Sequence, residues 1–274
     1  MIPLRDNIPS RTTPVVNYAL IVICVFVFLA QAGETPGGPS LVERYGMVPA
    51  RITDPDRVIE VEAAEAVPTL FGTRLRRVRR QLAPPGVPAW LTLLTCIFLH
   101  GGWLHLIGNL WFLWIFGDNV EDRLGHLGYL LFYLGAGVTA SVCHLAAGPG
   151  SPIPTIGASG AIAGVMGAYF LLYPKAMVLT LVPIFFIYDI LVLPAPLFLG
   201  VWFVLQLFQG TFAITQMESQ GVAWWAHIGG FVAGLVVALS LRRKLNPPVL
   251  ALRPGTERTR LYRAFPRRRS YDNE

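Results

Sequence analysis

From Leu91 to Leu241 the chain runs for 151 residues with only seven charged side chains, five acidic and two basic. Soluble domains carry about 25% charged residues. A stretch this poor in charge cannot present a hydrated surface on all sides. Across the whole chain charged residues fall to 14% and apolar residues reach 54%, with a mean hydropathy of +0.53. These values exclude an ordinary soluble enzyme, a nucleic-acid module and a disordered chain. They call for a lipid bilayer as the solvent. The net charge of +6 comes mainly from residues 242–274, which hold ten basic and three acidic side chains.

The apolar runs divide into spans. Val15 to Gln31 has no charge and is long enough to cross a hydrocarbon core of about 30 Å. Residues 33–100 form a long, partly interfacial first loop, with seven acids and the basic run Arg74–Arg80. That run is expected to lie in a solvated loop or a short amphipathic helix at the membrane surface. Further spans are expected near 103–120, 127–146, 159–173, 196–212 and 224–241. The Pro-punctuated run 176–195 reads as interfacial or re-entrant. A basic excess flanks the first and last spans, so residues 1–14 and the tail 242–274 are both expected in the cytoplasm, the tail without structure. Two cytoplasmic ends require an even number of crossings, and six is the economical count. The expected fold is an all-α bundle over residues 15–241. Cys24, Cys96 and Cys143 sit in apolar stretches without metal-type spacing, so neither a disulfide framework nor a cysteine metal site is expected.

Polar side chains are costly in hydrocarbon, which makes the few that remain candidates for function. His105 and Asn109 are four apart and share one face of the second span. They read either as an interhelical hydrogen-bonded pair or as two N–H donors aimed the same way. Ser159, between glycines in Gly157-Ala158-Ser159-Gly160, opens a helix after a Gly/Pro-rich loop. It reads as an N-cap or as a nucleophile beside unsatisfied helix N–H groups. His227 lies one turn inside the last span and is either a packing histidine or a general base. Its face continues through Gly230 and Gly234, and the serine's face through Ala163 and Gly167. Small residues at such spacing let two helix backbones approach closely. If the two faces meet, the imidazole reaches the hydroxyl. Taken together, the four polar residues read as nucleophile, base and oxyanion donors. Asp118, Glu121, Asp122 and Asp189 all fall near span ends, which favours a Ser–His dyad over a triad.

Three segments then resemble one family. HGGWLHLIGNLWFLWIFGDNVEDRLG (100–125), GASGAIAGVMG (157–167) and AHIGGFVAG (226–234) are similar, in order, to the motifs of rhomboid intramembrane serine proteases. The resemblance implies a six-span core cleaving transmembrane segments of membrane proteins. In it Ser159 is the nucleophile, His227 the base, and His105, Asn109 and the Ser159 amide the oxyanion hole. Gly157, Gly160, Glu121, Arg123, Gly230 and Gly234 take structural or packing places. Substrates and lipid are the implied partners, with no cofactor, metal or nucleic acid. Two departures stand out: Ala163 occupies a position where the family often has an aromatic ring on the histidine, and the first loop lacks a Trp-Arg pair. Something else must orient His227, an aromatic from a neighbouring span being one option. No extra span before or after the core is evident, which implies a simple six-span form of the prokaryotic cell membrane. The alternative is a catalytically silent rhomboid-like protein that binds membrane helices.

Overall fold

The computed structural model describes residues 1–34, 38, 40–69, 72–184, 187–216 and 223–241. Strand β1 (Ile2–Asp6) precedes helix α1 (Val15–Ala32). The first loop holds short helices α2 (Leu41–Tyr45) and α3 (Pro49–Thr53), then strands β2 (Glu60–Thr69) and β3 (Gly72–Gln81). Helical turns at Ala89–Leu91 and Cys96–Phe98 flank α4 (Thr92–Thr95). Helices α5 (Trp103–Leu124), α6 (His126–Ala147) and α7 (Ser159–Leu172) follow. Strands β4 (Met177–Ile184) and β5 (Ile187–Pro194) then lead to α8 (Ala195–Gln216) and α9 (Trp224–Leu241).

By length and composition α1, α6 and α9 can each cross a membrane. The segment Ala89–Phe98 joins α5 through a 79° bend, and the pair counts as a fourth span if taken as one broken element. Two shorter apolar helices are α7 and the Ala195–Thr211 part of α8. Large apolar side chains point outward on the long helices, among them Phe26, Leu104, Leu131, Val204, Phe208 and Val236. Such a surface suits lipid and not water. The tail 242–274 lies outside the described residues.

The molecule is predominantly helical, but the all-α expectation needs correction, because two small sheets flank the bundle. The run 176–195 is a β-hairpin, β4 against β5, with Met177 opposite Pro194 and Ile184 opposite Ile187. Val178, Val182, Ile190 and Val192 favour an extended backbone, while Pro183 and Pro194 deny a continuous helix its donors. Strand β1 adds to the far side of β4, Ile2 facing Leu181 and Asp6 facing Val178. The Arg74–Arg80 run is likewise a strand, and neither the loop nor the amphipathic helix expected for it. It is paired antiparallel with the acidic strand, Glu62 facing Arg79 and Glu65 facing Arg76.

Buried polar contacts tie α1 to α5 and α6. The Glu121 carboxylate, near the end of α5, accepts the N–H groups of Val16 and Asn17 at 3.0 and 2.7 Å. These are orphan donors of the first turn of α1, so a residue more than a hundred positions away caps that helix. Next to it, Asp122 takes the N–H groups of Arg11 and Thr12. Asn17, fully buried, donates to the Leu113 carbonyl at 3.1 Å and accepts from the Tyr129 hydroxyl at 2.9 Å. Arg123 lies over the Tyr173 ring, 5.8 Å from its centroid.

Helix α7 is the centre. Every residue from Gly160 to Tyr169 is buried, as expected of a helix that is apolar all round. It meets α9 at backbone contact. A Cβ on Gly230 would strike the Gly160 carbonyl, one on Gly234 the Gly164 carbonyl, and one on Gly167 the Phe231 carbonyl. The two glycine faces do meet. The seam on α7, however, runs through Gly160, Gly164 and Gly167, one position over from the expected Ser159 and Ala163.

At the end of the bundle away from Ser159, the Asp6 carboxylate accepts from the Tyr169 hydroxyl at 2.5 Å and from Asn119 Nδ2 at 2.9 Å. Burial pushes the Asp6 carboxyl up to about 7, against the lowering effect of the Tyr169 hydrogen bond. Between pH 4 and 7 the folded chain therefore holds a proton that the unfolded chain has released. Stability falls as pH rises through that window and levels off above it. Asp6→Asn keeps an oxygen for Tyr169 but carries no charge. We expect it to flatten this part of the pH dependence of thermal unfolding in detergent, and to melt higher than wild type at pH 8. An unchanged slope would contradict the burial of this carboxyl.

Candidate active site

The loop before α7 is held from two directions. Met47 and Thr155 exchange both backbone hydrogen bonds, at 3.0 and 2.7 Å, so the first loop forms a bridge to it. The Ala50 amide reaches the Ser151 carbonyl and the Gly157 amide the Cys96 carbonyl. The base of the β2–β3 hairpin is itself fixed through Glu43, which pairs with Arg80 and accepts the Ala83 amide. Burial alone would raise the Glu43 carboxyl, but Arg80 and that amide outweigh it and hold the carboxyl below its usual range. The long first loop thus supports the serine loop, a role its composition did not disclose.

Gly157 sits at φ +124°, a conformation that favours glycine. Its missing side chain also makes room for the oxyanion candidates. A Cβ there would lie 2.8 Å from His105 Nε2 and 3.7 Å from Asn109 Nδ2. The Gly101 amide donates to His105 Nδ1 at 3.2 Å. With Nδ1 accepting, the ring proton of a neutral His105 is on Nε2, the nitrogen that faces Gly157. Asn109 Nδ2 is buried and has no hydrogen-bond partner among the described residues. Two side-chain N–H donors therefore converge beside the residue two before Ser159. The bend that carries His105 is anchored by Gln31, whose amide both accepts from and donates to the His100 backbone, at 3.0 Å each.

Ser159 begins α7, and the residue before it, Ala158, offers no side-chain cap. The N–H groups of that first turn are thus available to a ligand. From α9, His227 Nε2 lies 2.7 Å from Ser159 Oγ. Both residues are partly exposed. Gly230 lets α9 come this close, since a Cβ there would meet the Gly160 carbonyl, while a Cβ on Gly160 would strike Ala140 of α6 at 2.6 Å. The geometry brings together Ser159, His227, His105, Asn109 and Gly157. Glu121 and Arg123 stay at the other end of α5, among the contacts that hold α1 and Tyr173.

Sequence reasoning missed one residue here. Gln206, on α8 and only 7% exposed, places Oε1 2.7 Å from His227 Nδ1. The rule that singled out the other polar side chains covers it too, but Gln206 and Gln209 stand three apart in the same apolar run. Only the fold turns one inward and leaves the other exposed. Two aromatics also flank the imidazole, Trp202 from the neighbouring α8 and Trp224 from α9 itself. Trp202 on α8 is 5.9 Å away by ring centroids and tilted 39°, and Trp224 is 6.0 Å away and edge-on. Among the described residues no three His, Cys, Asp or Glu side chains cluster as a metal site.

Comparison with known proteins follows the same lines. A family model described as Rhomboid domain matches residues 88–244, more than half of the chain, including Ser159, His227, His105, Asn109, Gly157 and Gln206. The chain is 36% identical over 154 residues to the Rhomboid protease GluP of Bacillus subtilis (strain 168), covering 56% of this chain and 26% of that protein. It is 42% identical over 78 residues to the Rhomboid-like protein 11, chloroplastic, of Arabidopsis thaliana, 28% of each chain. A third relative, the Putative rhomboid protease YdcA of Bacillus subtilis (strain 168), is 36% identical over 80 residues, 29% of this chain and 40% of that one. The matched regions thus span well under half the length of these relatives.

Proposed function

This chain belongs to the rhomboid family, and on that premise we propose that it is an intramembrane serine endopeptidase working through Ser159 and His227. The observation that carries the reading is the 2.7 Å contact between His227 Nε2 and Ser159 Oγ. Two side-chain N–H donors beside Gly157, two residues before Ser159, support it. A serine hydroxyl is a weak nucleophile until a neighbouring base takes its proton.

In this mechanism His227 Nε2 accepts the Ser159 proton as Oγ attacks the scissile carbonyl. Negative charge then develops on the carbonyl oxygen. His105 Nε2–H, Asn109 Nδ2–H and the Ser159 amide donate to it. Collapse of the tetrahedral intermediate breaks the C–N bond, and the imidazolium returns its proton to the leaving amine. Water enters, gives a proton to His227 and attacks the acyl group. A second collapse releases the carboxyl product and restores the hydroxyl. No cofactor or metal takes part in these steps.

Substrate chemistry follows from where the serine lies. Helix α7 has 14 residues and rises about 21 Å, short of a hydrocarbon core of about 30 Å. With α7 at the centre of the bundle, its first residue falls below the membrane surface. A peptide bond brought to it belongs to a transmembrane segment whose helix opens locally. We take α1, α5, α6, α7, α8 and α9 as six crossings of the cell membrane, with both ends cytoplasmic and the first loop and Ser159 toward the opposite face.

The test is covalent labelling. A fluorophosphonate probe added to the folded protein in detergent is expected to modify Ser159, and Ser159→Ala is expected to remove the label. Labelling that persists in Ser159→Ala, or a folded wild type that takes no label, would reject the protease reading. The second result would favour a silent helix-binding member.

A further inference from the structure

We propose that Gln206 is the positioning residue for His227, holding the imidazole in the tautomer that can take the Ser159 proton. The proposal rests on the protease reading only for the meaning of that tautomer. Its geometric basis is independent.

For Nε2 to accept from Ser159 Oγ, it must carry no proton, so the ring hydrogen of the neutral imidazole has to sit on Nδ1. An N–H in an apolar bundle needs an acceptor, because an unpaired buried donor is expensive. Gln206 Oε1, 2.7 Å from Nδ1, is that acceptor. The amide is itself nearly buried, at 7% exposure, on a helix whose outward neighbours Val204, Leu205 and Phe208 are exposed apolar residues. A glutamine there bears the cost of leaving water, and the hydrogen bond to His227 offsets it.

Among the described residues, the remaining neighbours named above cannot do the same work. Trp202 and Trp224 confine the ring, but their π faces and edges do not select which nitrogen holds the proton. Ala163, on α7, has a methyl group and no ring or acceptor. Gln206 also differs from an acidic orienter in being neutral. It fixes direction and tautomer without drawing the imidazole into its charged form. The bond joins the base on α9 to α8, so the arrangement Ser159–His227–Gln206 runs across three helices, α7, α9 and α8.

The experiment uses the full chain, ring-15N-labelled at its five histidines and held in lipid nanodiscs. The His227 resonances are identified by their loss in His227→Gln. Wild type is expected to give a protonated Nδ1 and an unprotonated Nε2. Gln206→Met, of similar size but without an acceptor, is expected to lose that pattern. Its kcat on a transmembrane substrate should fall on the order of 10²-fold with little change in KM, as for a misoriented catalytic group. Gln206→Glu restores an acceptor and should recover kcat to within about tenfold of wild type. If Gln206→Met fails to fold, Gln206→Asn, one methylene too short to reach, carries the same expectation. An unaltered His227 spectrum together with kcat within twofold of wild type would overturn the proposal. So would equal loss in Gln206→Met and Gln206→Glu with both folded. The spectrum decides the positioning of His227 even if wild-type protein cleaves nothing, which separates this inference from the protease reading.

Discussion

Replacing His227 by alanine is expected to lower kcat on a transmembrane substrate by about 10⁶-fold, the scale seen when a serine protease loses its base. The reason is local. His227 Nε2, 2.7 Å from Ser159 Oγ, is the group placed to receive the hydroxyl proton. Ser159→Ala should cost as much. Because the two act as one unit, the double variant should be no slower than either single one. Asn109→Ala should behave differently. It removes one N–H donor while His105 and the Ser159 amide remain, a loss of about 2.7–4 kcal/mol or roughly 10²–10³-fold in kcat. Steady-state kinetics with a fluorogenic transmembrane peptide, alongside a thermal-shift check of folding, measures all four variants. Equal losses for His227→Ala and Asn109→Ala in folded protein would refute this division of roles. Additive losses in the double variant would refute the shared step.

The second large effect is expected at the seam between α7 and α9. Gly234→Leu places a Cβ against the Gly164 carbonyl oxygen and 2.8 Å from the Ala168 amide nitrogen. These are backbone atoms of a helix buried along its length, and no rotamer change can relieve them. Overfilled cores usually cost about 1–3 kcal/mol, and a backbone obstacle belongs at or beyond the top of that range. Helix α9 must tilt or slide away. The contact of His227 with Ser159 should then open as the fold weakens. We expect a marked fall in the thermal unfolding midpoint together with loss of fluorophosphonate labelling. Gly135→Leu is the control, since a Cβ on Gly135 meets nothing within 4 Å. It should leave both measurements near wild type. A stable, reactive Gly234→Leu would show that the two helices do not need this seam.

What the chain disclosed before folding follows from the cost of polarity in hydrocarbon. Ser159, His227, His105 and Asn109 were conspicuous because little else around them is polar. The long helices were visible for the same reason, as uncharged runs bounded by Gly, Pro or charge. Gln206 obeyed that rule and was still overlooked, because a second glutamine three residues on made its direction ambiguous. Asn17 was also missed. It sits in the first apolar run with nothing to mark it, and its partners Leu113 and Tyr129 are far away in sequence. The sheets were harder to foresee. The β4–β5 run has the apolar content of a membrane helix, and only its β-branched residues and prolines argue otherwise. Strand β1 has no local signature at all, since its partner is a strand beginning at Met177. Glu121 illustrates the limit well. Its placing near a helix end was legible, but its task of capping α1 required knowing that the start of α1 lies beside it.

The pairing of β1 with β4 also sets a timetable. A ribosome delivers Ile2 long before Leu181, the residue it faces. At about 5–20 residues per second, the N-terminal strand waits roughly 10–35 s for its partner to be made. For most of that interval Asp6 has neither the Tyr169 hydroxyl nor the β4 ladder beside it. Residues Ile2–Asp6 therefore take their places in this sheet only after β4 has been made. Closure of that sheet joins a strand that precedes α1 to one that follows α7.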